Sequence, residues 1–523
     1  MSLHGMSSNP VANTAQGRLE GTVAESALVF KGVRYAQAQR FMPPEPPEEW
    51  AGLRSATQFG ANAPQTNANP PPGPPYVILA QILRPEGVPP PPPPLPEDED
   101  CQYLNIWTSA LRDGGKRPVM VWLHGGFFYG GTGAGVDGAA LASRGDAVVV
   151  SLNHRLNVFG FCCLRDFGEE FAASGNAGML DIIAALRWIR ENIEEFGGDP
   201  DRVMVFGTSG GGMKTAFLMG SPAAQGLFHR AAAQSGPGLR FMEPDRAREA
   251  TTALFRVLGL AHGDVGALRR MPMEQLLAGY HKVATEMPPK RFIDLPCFAP
   301  VLDPDLLPRF PFAPDAAPST RTIPMILGWN AQEMTFFMGN DPSGFTLDEH
   351  GLMERMDAVF GDRAAEIASL YKAAFPQATP SEVWIQAHTD YSVMLPVLAQ
   401  AERRVLAGGA DTYVYRLDYR SPALDGKLGA LHTLEGNLLF DQVEKARALL
   451  GEGAAPLDLA RKMSSAWVQF ATTGNPAMDL PGMPDWPRYE LQSRPVMVFD
   501  RHCRVEEDPS AQLRGVLAGF LSA

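Results

Sequence analysis

Residues 203–212 read VMVFGTSGGG, and this stretch restricts the fold of the chain more than any other. Val203 to Phe206 is a short apolar run, small residues follow at once, and a helix is expected from near Met213. Strand, sharp turn and helix in that order are the setting of a G-x-S-x-G nucleophile elbow, here Gly207, Ser209 and Gly211. The glycines have a steric reason, because a serine held in a strained turn needs small, permissive neighbours. In a chain with 52 glycines, an ordinary Gly-rich loop would give the same five-residue match. The distinction rests on whether the rest of the chain supplies an oxyanion-binding turn, a carboxylate and a histidine in the right order.

The surroundings predict an α/β fold. Residues 118–123 (PVMVWL) and 147–152 (AVVVSL) are continuous apolar runs, as expected of strands buried on both faces. Met179, Ile182, Ile183, Leu186, Ile189, Ile193 and Phe196 recur at helical spacing, and residues 197–200 (GGDP) end that helix. Further strands are expected at 325–328, 412–417 and 496–499, with helices in 240–285, 345–405 and 456–473. Strands alternating with helices imply a mostly parallel central sheet flanked by helices. Residues 17–35 read as a small hairpin punctuated by Gly17, Gly21 and Gly32. Residues 43–98 are Pro-rich, and the run 87–96 cannot join a sheet or helix interior. An interdomain linker is the alternative there, but the flanking segments read as parts of one sheet. A surface excursion from a single domain spanning 1–523 is therefore expected, with helical cap insertions at 240–320 and 340–405.

A formal net charge of −13 argues against nucleic acid and anionic membrane surfaces as partners. The cysteines are Cys101, Cys162, Cys163, Cys297 and Cys503, an odd count without the spacing of a disulfide framework or a metal motif. No charged start followed by an apolar run opens the chain, and no stretch of 18 apolar residues occurs. A cytoplasmic protein without a membrane anchor is expected, with its oligomeric state open.

Taken together, these blocks resemble the type-B carboxylesterase family of α/β-hydrolases, which includes carboxylesterases and cholinesterases. The resemblance runs through nearly the whole chain. FKGVRYA (30–36), EDCQYLNIW (99–107), GNAGMLD (175–181) and NIEEFGGDP (192–200) match family segments ahead of the elbow. QSG (234–236), WVQFATTGNP (467–476) and Trp486-Pro487 match after it. The resemblance implies an α/β-hydrolase fold and a serine esterase acting on small-molecule esters, with no metal and no organic cofactor.

Ser209 is then the nucleophile, and a serine hydroxyl needs an adjacent base. Of ten histidines, His432 in GALHTLEGN (429–437) resembles the family's base. A carboxylate must orient it and stabilise the imidazolium. Glu333 in GWNAQEM (328–334) resembles the family's acid, and Glu435 is the competing local candidate. The order Ser209, Glu333, His432 is the α/β-hydrolase order. By the family's pattern the oxyanion would rest on the backbone N–H groups of Gly126, Phe127 and Gly210. His124, Gly125, Thr208 and Ser235 fall beside them as pocket or supporting positions.

Three departures mark this chain. Phe127 stands where the family commonly has glycine or alanine, so its benzyl group must find a place near the pocket. Thr208 and Gly210 replace the Glu and Ala of the usual GESAG elbow. The cysteine matching Cys101 is often bridged to an earlier one in the family, and no cysteine precedes Cys101 here. An amide or carbamate hydrolase with the same triad remains the alternative, since leaving-group contacts are not legible in sequence. A non-catalytic binding module on this fold is a further alternative that a complete triad disfavours. Phe241, Met242, Met287, Phe336, Phe337 and Met338 either line an apolar acyl or alcohol site or belong to the core.

Overall fold

The apolar runs become the strands of an 11-stranded sheet in a computed structural model that describes residues 9–24, 26–65, 95–289, 291 and 294–521. In chain order its strands are β1 (Thr22–Ala24), β2 (Ala27–Arg34), β3 (Tyr103–Thr108), β4 (Arg117–Leu123), β5 (Val148–Leu152) and β6 (Gly198–Thr208). Then come β7 (Arg230–Gln234), β8 (Met325–Asn330), β9 (Thr412–Leu417), β10 (Pro495–Phe499) and β11 (Arg504–Glu507). In space they run β11-β10-β9-β8-β7-β6-β4-β5-β3-β2-β1. Pairing is parallel from β5 through β4 and β6 to β10, and antiparallel at both margins. This is the α/β-hydrolase arrangement expected above.

Alternation along each strand builds a core on both faces of the sheet. Val203 and Val205 pack with Val119, Val121 and Leu123 on one side. Met204 and Phe206 pack with Met120 and Trp122 on the other. Residues above and below are covered by helices, among them Ala177–Asn192 and Ala454–Thr473. Helices Pro244–Val257, Val265–Arg270 and Met273–Glu286 follow β7, and Glu349–Phe360, Ala364–Ala374, Pro380–Thr389 and Leu395–Leu406 separate β8 from β9. Between the last two, Asp390–Met394 is a π-helical turn, with the Leu395 N–H on the Asp390 carbonyl. Pro396 has no N–H to give the Ser392 carbonyl, which removes the α-helical alternative at that step.

Sequence reasoning misplaced two strand boundaries and missed one strand. The helix does end at the GGDP stretch, at Gly197 (φ 75°), but β6 already begins at Gly198 and not at Val203. The early part of β6 is irregular, its register against β4 shifting between Arg117 and Val119, which is how Pro200 is tolerated in a strand. β8 runs two residues beyond Gly328, to Asn330. β7 was missed altogether, because its Arg-Ala-Ala-Ala-Gln sequence carries none of the β-branched or aromatic residues that mark strands. Most of the Pro-rich excursion, residues 66–94, lies outside the described residues, as does most of the 87–96 run. Among the described residues no helix is long and apolar enough to cross a membrane.

Candidate active site

The site is assembled from loops that leave the carboxyl ends of β4, β6, β8 and β9, the edge where parallel α/β sheets present ligand-binding loops. At the end of β6 the chain turns through Ser209 (φ 59°, ψ −123°) into helix Gly210–Gly220. That backbone is strained for a residue with a side chain. It is held on both sides: the Ser209 N–H donates to the Gln234 carbonyl (2.8 Å), and the Ser235 N–H, itself at φ 50°, donates to the Gly328 carbonyl (2.8 Å). The elbow glycines are required by contact with β4. A Cβ on Gly207 would lie 2.3 Å from the Leu123 carbonyl oxygen, and one on Gly211 would lie 2.0 Å from it.

Leaving β4, the chain turns sharply at His124, Gly125, Gly126 (φ 82°) and Phe127 (φ 50°). Gly210 abuts this turn so closely that a Cβ would sit 2.4–2.5 Å from the O, Cα and N of Phe127. The Phe127 ring stacks on Tyr129, centroids 5.7 Å apart, and lines the same cavity as Ser209. Beneath the turn lies a group that sequence reasoning missed. Lys214 is fully buried, and its ammonium donates to the His124 carbonyl (2.8 Å). Burial pushes its pKa well down. His124 and His154 stack at 4.9 Å, both held well below the usual imidazole range by burial and the neighbouring Lys214 charge. The available signal was a single charged residue in an otherwise small and apolar helix.

Beyond β8, Glu333 is wholly buried, with Oε1 accepting the Asn330 N–H (2.7 Å) and Oε2 2.5 Å from His432 Nδ1. The His432 loop after β9 is clasped to the Glu333 loop. Gln332 N–H donates to the Ala430 carbonyl (3.0 Å), and the Ala430 N–H returns to Gln332 Oε1 (2.8 Å). Phe336 and Phe337 flank the imidazole at 5.6 and 5.1 Å. Burial lowers the His432 pKa, but the charge and hydrogen bond of Glu333 outweigh it, so the net shift is upward.

Glu435 is differently engaged. Its Oε1 accepts from Thr208 Oγ1 (2.7 Å) and Gln234 Nε2 (3.4 Å), and its Oε2 from Asn330 Nδ2 (2.6 Å). Its pKa is raised by burial and by the Glu333 carboxylate. Thr208 thus supplies the hydroxyl that braces this second carboxylate under the elbow.

Ser209, His432, Phe127 and Ser235 all line one cavity of about 530 Å³. Phe241 and Met242 are also in its wall, whereas Met287 packs on the core and Met338 is buried among the helices of the β8–β9 insertion. The cavity also carries Arg240, Arg246, Arg291 and Arg403, which sequence reasoning did not single out. Among the described residues no three His, Cys, Asp or Glu side chains group so as to hold a metal ion.

A carboxylesterase family model matches residues 8–513. The para-nitrobenzyl esterase of Bacillus subtilis (strain 168) is 33% identical, covering 96% of this chain and 97% of its own. The phenmedipham hydrolase of Pseudarthrobacter oxydans is 35% identical over 96% of this chain and 98% of its own. A solved Geobacillus stearothermophilus carboxylesterase superposes with a TM-score of 0.80 at 35% identity, covering 97% of this chain and 99% of that one. With its fold, its sequence and its full-length relatives in agreement, this chain belongs to the carboxylesterase family and is a carboxylic ester hydrolase.

Proposed function

We propose that Ser209, His432 and Glu333 carry the hydrolysis as a nucleophile–base–acid triad. The observation that supports this most is the 2.5 Å contact between His432 Nδ1 and Glu333 Oε2 beside a cavity that Ser209 also lines. With Nδ1 engaged by the carboxylate, Nε2 is the nitrogen left to take a proton from Ser209. Ser209 Oγ attacks the ester carbonyl carbon as its proton passes to His432 Nε2. Glu333 stabilises the imidazolium, and the N–H groups of Gly126, Phe127 and Gly210 receive the oxyanion. The tetrahedral intermediate collapses, His432 gives its proton to the departing alcohol, and an acyl group remains on Ser209. Water, deprotonated by His432, then attacks the acyl carbon and releases the acid with Ser209 restored.

Glu435 is assigned a supporting role, since its oxygens are taken by Thr208, Gln234 and Asn330. The helices of 240–320 and 340–405 are read as a cap over a single domain, because their side chains form much of the cavity wall. A cytoplasmic location is favoured by five free cysteines, which suit a reducing compartment. The test is Ser209→Ala: hydrolysis of 4-nitrophenyl butyrate should vanish while the circular dichroism spectrum is kept. Turnover retained by that folded variant would overturn the assignment.

A further inference from the structure

The cavity wall holds four arginines against two carboxylates, Glu243 and Asp294, in a chain whose overall charge is −13. Two of those arginines have a carboxylate partner. Arg291 pairs with Asp294 (3.0 Å), and Arg246 with Glu249 (3.3 Å). Arg240 and Arg403 are different, since among the described residues neither takes part in an ion pair. The acids nearest Arg403 are already committed: Asp315 to Arg309, and Glu402 to Arg494 and Arg514.

These two guanidiniums are also held. Arg403 is half-buried on helix Leu395–Leu406, and its Nη1 donates to the Phe312 carbonyl (2.6 Å). Arg240, on the loop after β7, lies over the Phe310 ring, 5.9 Å from its centroid. Both are thus anchored on one segment, and the charge of Arg240 is felt at Arg403, whose pKa is lowered by burial and by that neighbour more than the carboxylates of Glu402 and Asp315 raise it. Two like charges fixed near each other are unfavourable unless something negative comes between them. Solvent can serve an isolated rim arginine, but an exposed Arg240 beside a half-buried Arg403, both in the wall of an esterase cavity, is an arrangement that recognises an anion.

We propose that Arg240 and Arg403 form an anion-binding subsite, so that esters bearing a carboxylate away from the scissile bond are preferred substrates. The proposal rests on the esterase reading above and adds the class of substrate. A carboxylate on the acyl or the alcohol portion would accept from the guanidinium forks while Met213, Leu239 and Phe241 cover the intervening methylenes.

The test compares monoethyl adipate with ethyl hexanoate, and 6-acetoxyhexanoate with hexyl acetate, by base titration at fixed pH. In one of the two pairs, kcat/KM should favour the anionic ester by about tenfold at low salt, as expected of charge-assisted hydrogen bonds. That preference should shrink in 0.5 M salt on the order expected from a Debye length of a few Å. In Arg240→Gln/Arg403→Gln the ratio should fall to within about twofold of one, a loss of most of the charge-assisted contribution. Arg240→Gln alone, at an exposed position, guards against a folding artefact, and Arg403→Lys should retain part of the preference. Ratios of one or less in both wild-type pairs, or a preference untouched in the double variant, would overturn the subsite. Failure to hydrolyse any ester would instead count against the triad reading. Calorimetric Kd values for monoethyl adipate and ethyl hexanoate on Ser209→Ala then read the anion preference directly.

Discussion

Gly210→Ala would restore the residue most common in the family's elbow, and it should nonetheless damage this protein. A Cβ at Gly210 would lie 2.4 Å from the Phe127 carbonyl oxygen and 2.5 Å from its Cα and N. All three are backbone atoms, so no side chain can swing away. Restoring ordinary contact needs a relative shift of about 1 Å, since non-bonded carbons pack near 3.5–4.0 Å. Alanine's helix propensity favours the variant by only ~1 kcal/mol. Against that stands the displacement of the proposed oxyanion donors at 127 and 210. Losing one such donor costs about 2.7–4 kcal/mol, or roughly 10²–10³ in kcat. The clash therefore wins. With 4-nitrophenyl butyrate, kcat should fall about a hundredfold with KM little changed, because the donors act on the tetrahedral intermediate. Adding Phe127→Gly should recover part of the loss by letting the turn move. A single variant with kcat within about threefold of wild type would refute the steric reasoning, since that is far below the cost of a lost donor.

Three further outcomes follow from the same geometry. Glu333→Ala should lower kcat by about 10⁴-fold, as when the carboxylate of such a triad is removed, whereas Glu435→Ala should cost far less activity and chiefly lower Tm; the opposite ranking would exchange their roles. His432 must be neutral to act as base, and Glu333 raises its pKa above 6.5, so the acid limb of kcat/KM should fall above pH 6.5. In Glu333→Gln that limb should move to lower pH, because burial is then opposed only by the weaker influence of the Glu435 charge; an unmoved limb would assign it to another group. Asp181, bound to buried Arg155 at 2.6 and 2.8 Å, is not among the residues lining the Ser209 cavity. Asp181→Ala should cost about 3–5 kcal/mol in denaturant titration by stranding that guanidinium, and a loss under about 1 kcal/mol would contradict the pairing argument.

What sequence could and could not convey follows from the range of the forces involved. The strands expected at 118–123 and 147–152 were legible because burial on both faces writes a continuous apolar run. The proposed triad of Ser209, Glu333 and His432 came from order and neighbours in the sequence, and the contact of Glu333 with His432 Nδ1 supports the preference for Glu333 over Glu435. β7 was not legible, since a run of alanines carries strand propensity only once β6 and β8 flank it. Lys214 was hidden because its partner is a backbone carbonyl 90 residues away. The arginine pair was hidden for the same reason: Arg240 and Arg403 are 163 positions apart in the sequence and share a wall only once the chain has folded around one cavity. The closeness of Gly210 to Phe127 likewise depends on two loop paths and leaves no local trace beyond the residue types themselves.

The most direct test of the account is covalent labelling. The protein would be treated with a fluorophosphonate, digested, and its peptides read by mass spectrometry alongside residual esterase activity. The account predicts one adduct per chain, on Ser209, with activity lost in proportion and no labelling in Ser209→Ala. Full activity with Ser209 modified, or inactivation through a different residue, would contradict it.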